Sequence, residues 1–247
     1  MWPFKAKSIV DADAEAWLTE NFCWLIQQFG CDGIRLVLPK PGYFRTNGET
    51  GHSLALTLFE QVKGYCGIGR WRADLVVDDN PLAQSRSPSV IMVAPQKHAA
   101  GTFSVSGGRA QISYVPRLLE RPDHFIATMA HECGHYLLQS ATGAPPCEKD
   151  ENEFLTDLTA IFMGFGVFMA NARFESGPSG MSWRGYLPER DIVFALALFL
   201  RARGMGVAEA KLCLKPHLAT QLGKAMRYLA DDAPAVKELR RAVGGLA

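Results

Sequence analysis

Asp123-His124-Phe125-Ile126-Ala127-Thr128-Met129-Ala130-His131-Glu132-Cys133-Gly134-His135-Tyr136-Leu137-Leu138-Gln139-Ser140 is the stretch from which the rest of the chain is read. Apolar residues at Phe125, Ile126, Met129, Cys133 and Leu137 recur at helical spacing, and Pro122 just ahead of them suits a helix start. On such a helix His131 and His135 stand one turn apart on one face, so both imidazoles reach a single ion. That pattern is half of a zinc site. Glu132, beside the first histidine, leans toward the open position of a bound metal, where its carboxylate serves as general base for a metal-activated water. Cys133 is two residues past His131 and so turned about 200° from the histidine face. It is expected in the core.

A third ligand comes from the next helical stretch. After the break at Gly143-Ala144-Pro145-Pro146, the chain carries Asn152-Glu153-Phe154-Leu155-Thr156-Asp157. Glu153 and Asp157 are four apart and share a helical face. Glu153 completes a two-histidine, one-glutamate set with one position left for water, and Asp157 is placed to accept the other ring N–H of a ligand histidine. Glu148 and Glu151 are competing acids nearby; Glu153 is preferred because it has Asp157 as a partner.

These two segments, His131-Glu132-Cys133-Gly134-His135 and Asn152-Glu153-Phe154-Leu155-Thr156-Asp157, resemble the gluzincins, the thermolysin-like zinc metallopeptidases. The resemblance spans about residues 123–170. It implies His131, His135 and Glu153 as zinc ligands, Glu132 as general base and Asp157 as the partner of His131. It also implies a zincin-like α+β fold: a small mixed sheet in the N-terminal half with the metal-binding helix packed on it, then a mostly helical C-terminal part. In such enzymes an edge strand beside the zinc holds the substrate.

The remaining elements fit one domain over residues 1–247, with a sheet-bearing part to 121 and a helical part from 122. Apolar periodicity predicts helices over 11–29, 52–66, 188–203 and within 207–243. Alternation and turn residues predict strands over 34–38, 72–77 and 90–94, and a hairpin whose arms, 102–105 and 109–115, flank Ser106-Gly107-Gly108. The second arm reads either as a substrate-aligning edge strand or as an interior strand. Asp78 and Asp79 open a polar turn, and residues 171–181 read as a loop. Gly164-Phe165-Gly166 allows close packing or a kink. For a donor to the developing oxyanion, Tyr186, Arg190 and His217 lie downstream, and Tyr186 is preferred because a phenol donates while neutral. His98 and His124 read as structural.

A chain of 247 residues, 48% hydrophobic, can bury a sizeable core. Its net charge of +1 gives no electrostatic footprint for nucleic acid or an anionic membrane. Residues 1–15 lack the apolar run of a signal peptide, and the apolar runs at 158–170 and 192–200 fall short of the ~20 residues of a membrane helix. Six scattered cysteines without Cys-x-x-Cys spacing point to reduced thiols and a cytoplasmic address. The expected function is zinc-dependent hydrolysis of a peptide or protein substrate. The alternatives are a peptide-binding or regulatory protein of the same shape with little turnover, and a zinc hydrolase of non-peptide substrates.

Overall fold

The computed structural model describes residues 6–78, 101–106, 109–177, 180–183, 186–230 and 233–245. Helix α1 (Ala12–Phe29) starts where the Asp11 carboxylate accepts the Ala14 N–H at 2.8 Å, and it stops at Gly30, whose φ of 67° ends the helical path. It buries Leu18, Phe22, Leu25 and Ile26. Helix α2 (Gly51–Tyr65) follows a loop and buries Leu58, Phe59 and Val62.

Three strands form a mixed sheet in the order β1-β3-β2: β1 (Ala73–Val77), β2 (Gly101–Ser106) and β3 (Arg109–Tyr114). β3 runs parallel to β1 and antiparallel to β2. The hairpin expected from the sequence is therefore present. Its second arm, β3, is the interior strand, and among the described residues β2 forms the edge. The expected strand at 90–94, together with Asp79 and His98, lies outside the described residues. Asp78 is buried and its N–H donates to the Tyr114 carbonyl, as a strand-end residue does.

Helix α3 (Pro122–Leu138) packs against α2 and β2. The chain returns antiparallel to it through α4 (Asn152–Ala160), a π-helical turn (Ile161–Phe165) and α5 (Gly166–Ala172). By length and composition the stretch Lys149–Ala172 could cross a membrane, but 89% of its apolar window is buried inside the fold, which uses that surface as core. Next come β4 (Phe174–Gly177) and β5 (Gly180–Trp183), then α6 (Glu189–Ala202), α7 (Ala208–Cys213), α8 (Pro216–Tyr228) and α9 (Pro234–Gly244). Every residue from Ile192 to Leu200 in α6 is buried. Helices α1, α5, α8 and α9 surround it.

Two expectations are corrected. Residues 34–38 have no regular secondary structure; Leu36, Val37 and Leu38 are buried, yet the segment joins no sheet among the described residues. Their backbone is satisfied elsewhere: the Val37 N–H donates to the Gly164 carbonyl at 2.9 Å, and the Ile34 carbonyl accepts from Arg203 Nε at 3.1 Å. The apolar pattern reports burial of the segment, not the identity of its partner. The second correction is the loop expected at 171–181. Its first residues finish α5, and Phe174–Gly177 and the residues from Gly180 on belong to the antiparallel strands β4 and β5, with Gly177 opposite Gly180.

The kink allowed at Gly164-Phe165-Gly166 is real. Gly164 has φ 96°, and a Cβ there would lie 2.1 Å from the Arg35 carbonyl oxygen, so only glycine lets the segment 34–38 cross at this point.

Candidate metal centre

The site forms where α3 and α4 lie closest. Gly134, between the two histidines, permits the approach: a Cβ there would meet the Thr156 carbonyl oxygen at 3.0 Å and its methyl group at 3.2 Å. Because the helices are this close, Glu153 from the first turn of α4 places Oε2 at 3.2 Å from His131 Nε2 and 3.3 Å from His135 Nε2. The three ligand atoms lie within 4.8 Å of one another and could hold a metal ion.

The outer nitrogens decide which protonation pattern the imidazoles take. His131 Nδ1 donates to Asp157 Oδ1 at 2.8 Å. Behind His135, the Thr156 hydroxyl gives its proton to the Asn152 carbonyl at 2.8 Å, so at 3.2 Å it accepts from His135 Nδ1. When both imidazoles are neutral, each aims the Nε2 lone pair at the same buried Glu153 oxygen, to which no other group donates. Three converging acceptors repel one another unless a cation stands among them. The spacing fits one: ligand atoms about 2.1 Å from a tetrahedral ion stand about 3.4 Å apart.

Without a metal, protons meet the same demand. Burial pushes His131 down, but the hydrogen bonds to Asp157 and Glu153 outweigh it and raise the ring to about 10. Glu153, also desolvated, is brought down to about 2 by the two histidines. Glu132 is only 4% exposed. Burial raises its pKa, with the histidines opposing and Glu153 adding to the rise. A carboxyl moved upward toward neutrality is suited to taking and returning a proton.

Asp157 is fully buried and does more than hold His131. Its Oδ2 accepts the backbone N–H of Tyr186 at 2.5 Å and of Leu187 at 2.9 Å. This anchors the segment leading into α6 and lays the Tyr186 ring on His131, with centroids 5.6 Å apart and planes 21° apart. On the other side Phe103 of β2 lies over His135 at 6.0 Å and 17°.

Of the residues picked from sequence, His131, Glu132, His135, Glu153, Asp157 and Tyr186 come together here. Arg190 is exposed at the start of α6, and His217 pairs with Glu189 at 3.3 Å on the surface. His124 is buried in the first turn of α3, about 10 Å along the axis from His131. Glu148 and Glu151 cap the turn before α4, with Glu151 Oε2 accepting the Glu148 N–H at 2.8 Å. That role takes them out of the competition for the ion. Cys133 is fully buried as expected, and all six cysteines are free.

Three contributors were not foreseen. Thr156 stood in the quoted Asn152–Asp157 segment without a role, Gly134 carried only the signal of a small residue between the histidines, and Phe103 read only as a strand residue. No family model, no curated protein and no solved structure matches the chain, so the reading of this centre rests on its own geometry.

Proposed function

We propose that the protein is a zinc-dependent metallopeptidase with a zincin-like arrangement of sheet and metal helix. The observation that carries this reading is the set of three converging acceptors, His131, His135 and Glu153, with the buried carboxyl of Glu132 on the same helix. A set of two imidazoles and one carboxylate suits zinc and leaves a coordination position open. When bound there, zinc would polarise a substrate carbonyl and acidify water.

The chain's own groups supply the rest. Glu132 takes the proton of the attacking water and returns it to the leaving amine. Asp157 and Thr156 fix the two imidazoles with Nε2 inward. The phenol of Tyr186, on the ring laid over His131, donates to the oxygen on which negative charge develops. β2 rather than β3 is the strand beside the site with a free edge among the described residues, and it aligns an extended peptide by backbone hydrogen bonds. The substrate is therefore a peptide or an extended protein segment. Intact Glu132 favours turnover over a purely structural metal site, which needs no base.

The test is metal content by mass spectrometry, with peptide-library turnover, on the wild type, Glu153→Ala and Glu132→Gln. The wild type is expected to carry about one zinc per chain and Glu153→Ala to lose it. Glu132→Gln is expected to keep zinc and lose about 10²- to 10⁴-fold in turnover. A wild type that takes up no zinc, or a Glu132→Gln variant that turns over normally, overturns the reading.

A further inference from the structure

We infer that α7 and α8 form a face that docks the protein on an anionic phospholipid surface, with Leu212 entering the lipid and Lys211 and Arg227 gripping headgroup phosphates. The face is separate from the metal centre and does not depend on its chemistry. A net charge of +1 gives no sign of it, because the sum runs over the whole chain while the fold sorts the charges. Between Ala208 and Tyr228 the chain carries Lys211, Lys215, Lys224 and Arg227 against one acid, Glu209, and that acid is taken by Lys40 at 2.8 Å. α8 itself has no carboxylate. It turns Leu218, Leu222 and Ala225 inward, so helical spacing sends His217, Thr220, Lys224 and Arg227 out to solvent as one stripe.

Two of these cations converge instead of spreading apart. Gly223 leaves the surface of α8 bare, and a Cβ there would meet Lys211 Nζ at 3.4 Å and Arg227 Nη1 at 3.8 Å. Neither cation has a carboxylate partner among the described residues. Like charges aimed at one spot repel until an anion stands between them, and a phosphate oxygen supplies both the charge and the acceptor. Beside them Leu212 is 86% exposed, whereas the next most exposed large apolar side chain described, Leu56, is at 39%. Ala210 is buried on the opposite face of α7, which leaves Lys211 and Leu212 pointing outward. At a membrane interface such a carbon side chain enters the acyl boundary while the flanking ammonium and guanidinium groups stay at the phosphates. A nucleic-acid backbone or a purely acidic peptide would use the cations and leave Leu212 in water.

The experiment is co-sedimentation of the full chain with vesicles of phosphatidylcholine alone and of phosphatidylcholine with about 30% phosphatidylserine, with polyglutamate as a soluble competitor. Binding is expected to the anionic vesicles only, and to weaken as salt rises. Leu212→Ser is expected to weaken it about tenfold and leave the salt dependence unchanged. Lys211→Gln and Arg227→Gln are each expected to cost about fivefold and to flatten the salt dependence. Gly223→Asp sets a carboxylate between the two cations and is expected to cost more than either single neutralisation. All four positions lie on the outer surface of α7 and α8, and an unchanged melting temperature in each variant is the control for folding. Equal binding to neutral and anionic vesicles, or binding to neither, overturns the proposal. So does a Leu212→Ser variant that binds as the wild type does; if polyglutamate then displaces it, the face belongs to an acidic protein segment instead.

Discussion

His131 and His135 offer the same atom to the same point, but the protein backs them differently. Behind His131 stands a fully buried carboxylate, Asp157, with a backbone segment hung on its second oxygen. Behind His135 stands a neutral hydroxyl, Thr156, whose own proton is committed to the Asn152 carbonyl. One side is charged and tied to the helical half of the fold; the other is neutral and faces the edge of the sheet. A charged acceptor makes the stronger hydrogen bond and makes its imidazole the more basic ligand. The site thus has a fixed side and a less tightly held one, and the second lies beside Phe103 of β2.

Asp157→Asn gives the largest effect bearing on this asymmetry. It removes the charge behind His131, and zinc affinity measured by competition with a chelator is expected to fall about 10- to 100-fold. Thr156→Val deletes a neutral acceptor from the other side and is expected to cost less than tenfold in the same assay, about 1 kcal/mol, the low end of what leaving one ring N–H unpaired costs. Equal losses in the two variants would break the distinction.

The smallest effect sharpens the electrostatics behind the fixed side. There the half-buried Asp191 is raised to about 6, by burial first and then by Asp11, with Arg173 opposing. A carboxyl whose folded pKa is raised costs stability once ionised. The cost is complete above about pH 6 and disappears as the pH falls toward the ordinary value near 4. Asp191→Asn is accordingly expected to raise the melting temperature by a few degrees at pH 7.5 and to match the wild type below pH 4, as read by thermal denaturation across that range.

What the sequence disclosed depended on how local the signal was. The helix that carries the two histidines, and the Glu153–Asp157 pair, are spaced by helical geometry itself, so their convergence could be anticipated before any fold was known. Residues 34–38 read as a strand from their apolar pattern, but whether such a segment pairs in a sheet or lies against a kinked helix depends on Gly164, far along the chain. Residues 171–181 held a turn signal at Gly177-Pro178-Ser179-Gly180, and the strands flanking it were too short to show alternation. Phe103 was legible as a strand residue and illegible as a neighbour of His135, because the contact joins elements that only the sheet order brings together. The interior place of β3 was hidden for the same reason.

The sharing of one carboxylate at Asp157 has a thermodynamic consequence. His131 and the backbone of Tyr186 and Leu187 draw on the two oxygens of the same side chain, and Leu187 leads directly into α6, around which the helices pack. Binding equilibria that meet at one group are reciprocal: whatever factor the ion contributes to ordering that segment, the ordered segment returns to the affinity for the ion. An ion held by His131 and the central helix would therefore act as coupled ligands of each other. Mass action on such an ion would reach the middle of the fold through a single side chain.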